Sequence, residues 1–222
     1  AFVRKLTQLA QADSRIMLVT GDLGFGVLDD FAKKFPRQYL NAGVAEQNMT
    51  GLAAGMALDG RIVFTYSIAN FPTLRCLEQI RKDAAYHDAN VKVVSIGGGF
   101  SYGVLGMSHH ATEDLAIMRS IPNVTVASPG CLWEVERVTE ALSTRPGTCY
   151  LRLDKSNAGH TRLPSEDFQF GKIRTLRQGD DGAIFATGGI VKTALEVSEL
   201  LEKEGRSIRV LSVHSLKPFD VE

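Results

Sequence analysis

Apolar residues along this chain fall into two alternating patterns. Short runs rich in β-branched residues recur at residues 16–20, 61–66, 91–96, 123–128, 148–153, 183–187 and 208–213. Continuous runs of this length predict strands buried on both faces. Between them, apolar positions recur with helical spacing over residues 44–58, 73–86, 112–119, 132–142 and 192–203, and the opening AFVRKLTQLA also reads as helix. Strands alternating with helices predict an α/β fold with a parallel sheet, because a parallel pair needs a crossover and a helix usually supplies it. Function is then expected at the carboxyl ends of the strands.

The alternation lapses over residues 154–181, which are polar, rich in turn formers and without a sustained period. This predicts an α/β domain over residues 1–155, a linker over 156–169, and the start of a second α/β domain over 170–222. The second domain holds one clear β-α-β unit at 183–213, too small to be complete. The sequence contains neither an internal repeat nor a low-complexity tract.

Composition leaves this picture standing and narrows the function. At 222 residues, 44% of them hydrophobic, the chain can bury roughly 70% of the surface its unfolded form exposes. Its 25 Lys plus Arg are balanced by 25 Asp plus Glu, which removes the attraction behind sequence-independent nucleic-acid binding. Neither nucleic acid nor membrane is expected as a partner; the least charged stretch, 41–58, still carries Glu46 among amides and glycines. Cys76, Cys131 and Cys149 are odd in number and widely spaced, fitting neither a disulfide framework nor a metal site. With no basic, apolar leader, the expected compartment is the reducing cytoplasm. An opening without Met, inside helix-like sequence, suggests a trimmed fragment.

Three features offer chemistry. GDLGFG (21–26), GGG (97–99) and TGG (187–189) follow strands, where backbone amides can face an anion. None completes a dinucleotide or P-loop motif, so tight strand-to-helix turns are the simpler reading and a nucleotide site the lesser one. Glu46 is the sole charge between Asn41 and Leu58, in the first turn of an apolar helix. A small face of Gly51 and Gly55 beside Ala54 is expected to press that helix on a neighbour and draw Glu46 out of water. A carboxyl so placed can share a proton with a basic nitrogen; a solvated Glu complementing the helix dipole is the alternative. Finally, His109 and His110 stand in a glycine-flanked loop before a helix that Thr112 is expected to cap. Adjacent histidines there suit proton transfer or hydrogen bonding to a polar substrate, or are ordinary loop residues. No Cys or HExxH partner stands at metal-ligand spacing, so no metal ligand is assigned to this chain.

Together, GVAEQNMTGLAAGMAL, YSIANFPTLRCLEQIR, GVLGMSHHATEDLAIMRSIPNVTVASP, and ATGGIVKTALE followed by LKPFD resemble the transketolase family of thiamine diphosphate enzymes. The likeness runs in order from about Arg4 to Asp220. It implies a pyrimidine-binding domain followed by a truncated C-terminal domain. It also implies that Glu46 hydrogen-bonds N1′ of the cofactor's aminopyrimidine, favouring the imino tautomer that removes the thiazolium C2 proton. The ring that stacks on the pyrimidine falls to Phe71, with Tyr66 in reserve. His109 matches the histidine facing the substrate, with His110 beside it where transketolases usually carry Gln. Asp22 matches an acid near the cofactor and the subunit interface, while Arg4, Lys155 and the neighbouring Arg152 fall near sugar-phosphate positions.

The departures are specific. Leu105 replaces an Asp that contacts a substrate hydroxyl, and Gly26 replaces a phosphate-binding Ser. The family's diphosphate and Mg²⁺ motif, GDG with a downstream Asn, is absent; GDDG (179–182) has no such partner. The resemblance therefore implies a separate N-terminal subunit that brings the diphosphate and metal ligands, an α₂β₂ assembly through homodimer contacts, and ketol transfer between sugars or sugar phosphates. Its alternatives are the β subunit of a 2-oxo acid dehydrogenase, a deoxyxylulose-phosphate synthase-like enzyme, and a noncatalytic partner-binding subunit.

Overall fold

A computed structural model of the chain describes residues 1–163 and 166–221. Residues 164 and 165 of the expected linker, and residue 222, lie outside the described residues. The first sheet has seven strands: β1 (Ile16–Thr20), β2 (Tyr39–Asn41), β3 (Ile62–Ile68), β4 (Val91–Ile96), β5 (Val124–Ala127), β6 (Thr148–Leu153) and β10 (Ser215–Lys217). Their order is β10-β5-β6-β4-β3-β1-β2. All neighbours pair in parallel except β10, which runs antiparallel to β5.

Consecutive residues of these strands face opposite sides of the sheet, and both sides are covered. Met17, Val19, Val63, Val91 and Val93 join one apolar cluster with Met49 and Ala53 of α3 (Glu46–Leu58). Ile16, Leu18, Ile62, Phe64 and Leu151 join a second, with Phe2 and Leu6 of α1 (Phe2–Ala12) and Val138 and Leu142 of α5 (Leu132–Thr144). Two-sided cover explains why these strands read as unbroken apolar runs. Phe2, Leu6 and Ala10 recur every fourth residue along α1 and are buried; Phe2 and Leu6 each contribute roughly 1.5–3 kcal/mol by leaving water.

The structure corrects several expectations. The stretch 73–86 is not a regular helix but a 3₁₀ turn at Leu74–Cys76 followed by a π-helix at Gln79–Ala85. The wider turn puts Ile80, Ala84 and Ala85 on the buried side together. On α3 the alanines, not the glycines, face the core: Ala53, Ala54 and Ala57 are buried, while a Cβ on Gly51 or Gly55 would meet nothing within 4 Å. Thr112 does not cap a helix; its hydroxyl donates to Glu113 at 2.8 Å, and α4 begins at Asp114 (Asp114–Ser120). A short α2 (Asp29–Lys34) and the edge strand β2 were absent from the apolar pattern.

The second sheet has the order β7-β9-β8, from β7 (Arg174–Arg177), β8 (Gly182–Ala186) and β9 (Ile208–Ser212), with α6 (Val191–Lys203) as the β8-to-β9 crossover. Strand β7 arises inside the stretch that reads as structureless. After β9 the chain returns to the first sheet as β10, so the two sheets share one C-terminal thread. Among the described residues no helix is long and apolar enough to cross a membrane.

Candidate functional site

The loops after β1, β3, β4 and β6 meet at the carboxyl edge of the first sheet. Glu46 opens α3 there and is 4% exposed. A Cβ added at Gly21 would stand 3.5 Å from the Glu46 side chain, so the β1 loop packs closely over the carboxyl group. Arg75 donates from Nη1 to Glu46 Oε2 at 2.9 Å, and Oε1 accepts no hydrogen bond from a described residue. The Arg75 guanidinium also lies 4.3 Å from the centre of the Phe71 ring. Phe71 stands in the turn that leads into the 3₁₀ segment carrying Arg75.

Phe71 leads on to the histidine loop. Its ring centre is 4.9 Å from that of His109, which is in turn 5.8 Å from that of Tyr102. Lys155 Nζ stands 3.7 Å over the Tyr102 ring. Glu46, Arg75, Phe71, His109, Tyr102 and Lys155 thus form one contiguous line across the strand ends. The loop carrying His109 is pinned by a two-bond bridge between Gly99 and Ala111 and by Asn70 Nδ2 donating to the Ser108 carbonyl at 3.0 Å. Gly97 is required where it stands: its φ is +83°, and a Cβ there would come within 2.5 Å of the Tyr102 ring.

The two histidines differ. His109 Nδ1 is 3.0 Å from Ser108 Oγ, whereas His110 Nε2 donates to the Gly103 carbonyl at 2.8 Å. His110, with its ring edge-on to Phe100, lines a cavity of about 560 Å³ with Asn70, Arg75, Met107 and Glu113. Phe100 and Met107 of its lining are exposed apolar side chains, as are Phe25, Val44 and Val104 in loops that follow β1, β2 and β4. Burial pushes the Cys76 thiol, beside Arg75, up to about 11, which makes it an inert core group.

Other expected site residues are engaged elsewhere. Tyr66 is buried in the core, its ring stacked 6.0 Å from Phe2, and burial pushes its hydroxyl up to about 12; it offers no free face. Arg152 is a nearly buried counter-ion, 3.4 Å from Asp114 and 3.5 Å from Asp154, and not a free anion-binding group. Arg4 pairs with Glu136 of α5. Asp22, at φ +57°, exchanges hydrogen bonds with Asn41: its amide donates at 3.0 Å and its carboxylate accepts at 2.9 Å. Asp22 thereby fixes the turn beside Glu46.

The glycine turns do face an anion, and it is internal. Asp154 accepts from the Gly98 amide at 2.9 Å and from the Gly189 amide at 2.6 Å. One carboxylate therefore ties the GGG and TGG loops, and with them the two sheets, together. Sequence reasoning missed Arg75, Tyr102 and Asp154, whose partners are set by loops that meet only in the fold.

Comparison with known proteins gives a consistent set of likenesses. Residues 1–161 match the transketolase pyrimidine-binding domain and residues 171–222 the transketolase C-terminal domain. The chain is 36% identical to one of the subunits of the apulose-4-phosphate transketolase of Phocaeicola vulgatus, over all of this chain and 72% of that one. It is 37% identical to a putative transketolase C-terminal section of Methanocaldococcus jannaschii, over 98% of this chain and 70% of the relative. Among solved structures, a split-gene transketolase described as an inactive β4 tetramer superposes with a TM-score of 0.88 at 35% identity, over 99% of this chain and 72% of that one.

Proposed function

We propose, from the premise that this chain belongs to the transketolase family, that it is the pyrimidine-binding subunit of a two-chain enzyme passing a two-carbon ketol group between sugars or sugar phosphates. The observation that carries the reading is the line from buried Glu46 through Phe71 to His109 at the strand ends. The domain division read from the sequence, 1–155, 156–169 and 170–222, belongs to the same proposal.

The residues present fit the pyrimidine half of thiamine diphosphate. A buried carboxylate whose described partner is the half-exposed Arg75, with that guanidinium lying against the Phe71 ring, offers a hydrogen-bond partner and a stacking face to a flat heteroaromatic ring. When bound, that cofactor supplies a carbon nucleophile able to carry the two-carbon fragment. Glu46 would hold the ring nitrogen and share a proton with it, while Phe71 supports the ring. His109, its Nδ1 engaged by Ser108, keeps Nε2 for a substrate oxygen, and His110 shapes the loop and the cavity wall. Lys155, exposed above Tyr102, is the cation assigned to an anionic group of the substrate.

The sequence lacks the GDG motif with a downstream Asn that the family uses for the diphosphate and metal. Among the described residues no group of three or more His, Cys, Asp or Glu could hold a metal ion, and Mg²⁺ with the diphosphate is assigned to a partner subunit. The exposed apolar rim of Phe25, Val44, Phe100, Val104 and Met107 supports a covering chain at this edge. So do relatives that are named as one subunit or section of a transketolase. An α₂β₂ assembly completes the proposal.

The test is reconstitution of the full-length chain with its diphosphate-binding partner. Ketol transfer is expected only from the pair, and not from the pair carrying Glu46→Ala. Equal transfer with and without Glu46 would refute its assignment. Release of CO₂ from a 2-oxo acid, with no ketol transfer, would move the chain to the decarboxylating dehydrogenases.

A further inference from the structure

Arg75 is not accounted for by the proposed reaction, yet it touches both elements assigned to the pyrimidine. Its guanidinium is planar, presents N–H donors to the Glu46 carboxylate at 2.9 Å, and lies 4.3 Å from the Phe71 ring centre. Those are the contacts a flat, N–H-bearing aminopyrimidine would make with the same two side chains. We infer that Arg75 is a placeholder: it occupies the pyrimidine subsite in the unloaded chain and must leave when cofactor enters. The inference rests on the assignment of Glu46 and Phe71 made above.

Exposure decides which partner moves. The Glu46 side chain is 4% exposed and fixed in the first turn of α3, whereas the Arg75 side chain is 46% exposed. An arginine half in water can withdraw without opening the core. The cavity it lines also holds Glu113, an exposed carboxylate that offers the displaced guanidinium a counter-charge. The placeholder has a physical use. A buried carboxylate without a partner is costly, and Arg75 meets that charge until the cofactor does. The consequence is competition, since every cofactor bound has to break one ion pair.

The test is binding of thiamine diphosphate to the full-length chain paired with its diphosphate-binding partner. Titration calorimetry and tryptophan fluorescence would follow wild type, Arg75→Met, Glu46→Gln and the double variant. Methionine keeps the stem over Phe71 and removes the competing charge. Arg75→Met is expected to tighten binding roughly two- to tenfold, the scale of one partly exposed ion pair. Glu46→Gln is expected to weaken it, and the gain from Arg75→Met should shrink when Glu46 is Gln. The unloaded Arg75→Met pair should also melt below wild type, a deficit that saturating cofactor removes. Binding unchanged or weakened by Arg75→Met, with Glu46→Gln still weakening it, overturns the placeholder and leaves the pyrimidine assignment standing. Binding unaffected by Glu46→Gln overturns both.

Discussion

Two buried glutamates in this chain each meet an arginine, and the surroundings of the two pairs differ. Glu134, fully buried on α5, has Oε1 2.5 Å from Arg174 Nη1, and its Oε2 accepts from the Gly130 amide at 2.7 Å. Arg174 is itself 6% exposed; it also donates to Glu166 at 2.6 and 2.8 Å and to the Thr161 carbonyl at 3.1 Å, beneath the Trp133 ring. Burial works against its charge, but the two carboxylates hold its pKa above the ordinary arginine value. Glu46, by contrast, has one arginine that is half in water and one oxygen free of described partners. The closed pair clamps the second sheet to the first. The open pair is buried on one side only, which is what a carboxylate needs in order to exchange one partner for another.

Removing each charge in turn separates the two pairs. Glu46→Gln, in the reconstituted pair, is expected to lower ketol transfer about 10²–10⁴-fold, the range of a lost proton-sharing group, with little change in melting temperature. Glu134→Ala leaves Arg174 with Glu166 as its one remaining described carboxylate and strips the Gly130 amide of its acceptor, and should cost about 3 kcal/mol in urea unfolding, the upper end for an unsatisfied buried group. Turnover per folded molecule should stay near wild type. An exchange of these phenotypes between the two variants would invert the assignment of clamp and site.

The same contrast explains what the sequence could reveal. The parallel strands were legible because cover on both faces leaves unbroken apolar runs, and Glu46 because a lone charge interrupts an apolar helix. Strand β7 was hidden because its buried residue is Arg174, which reads as surface until Glu134 and Glu166 are in place. Strand β2 is an exposed edge with no apolar run to announce it. Arg152 looked like a free cation for an anionic ligand, whereas Asp114 and Asp154 claim it. For Arg174 and Arg152, composition along the chain is blind to the partners that arrive from far away in sequence, Glu134 and Asp114.

Asp154 belongs with the closed kind, and its substitution sharpens the line between the two. Its oxygens each accept one backbone amide, from Gly98 and from Gly189. Asp154→Asn would present an N–H to one of those donors. The loss is expected to be about 1–3 kcal/mol, the cost of one unsatisfied buried group, read by urea midpoint. Hydrogen exchange should quicken first at the Gly98 and Gly189 amides.

The smallest effect separates the pairs by pH. His214 is fully buried against Phe168 and Phe170, and Glu134, Glu166 and Arg174 are the charged groups that act on it. Burial lowers its pKa below the ordinary 6.5, so as pH falls through that value the unfolded chain binds a proton that the folded chain refuses. Stability from this group is therefore whole above about pH 6.5 and declines as pH drops toward the folded value. Glu166 adds a later loss. Burial raises its carboxyl, but Arg174 overcomes that and holds it below the ordinary 4.5, so its share is present above that value and disappears in more acid solution. Urea midpoints at about pH 5.5 and about pH 7.5 should differ in wild type and in Glu46→Gln alike. The difference should shrink in His214→Phe, because the acid-sensitive element is the clamp and not the site.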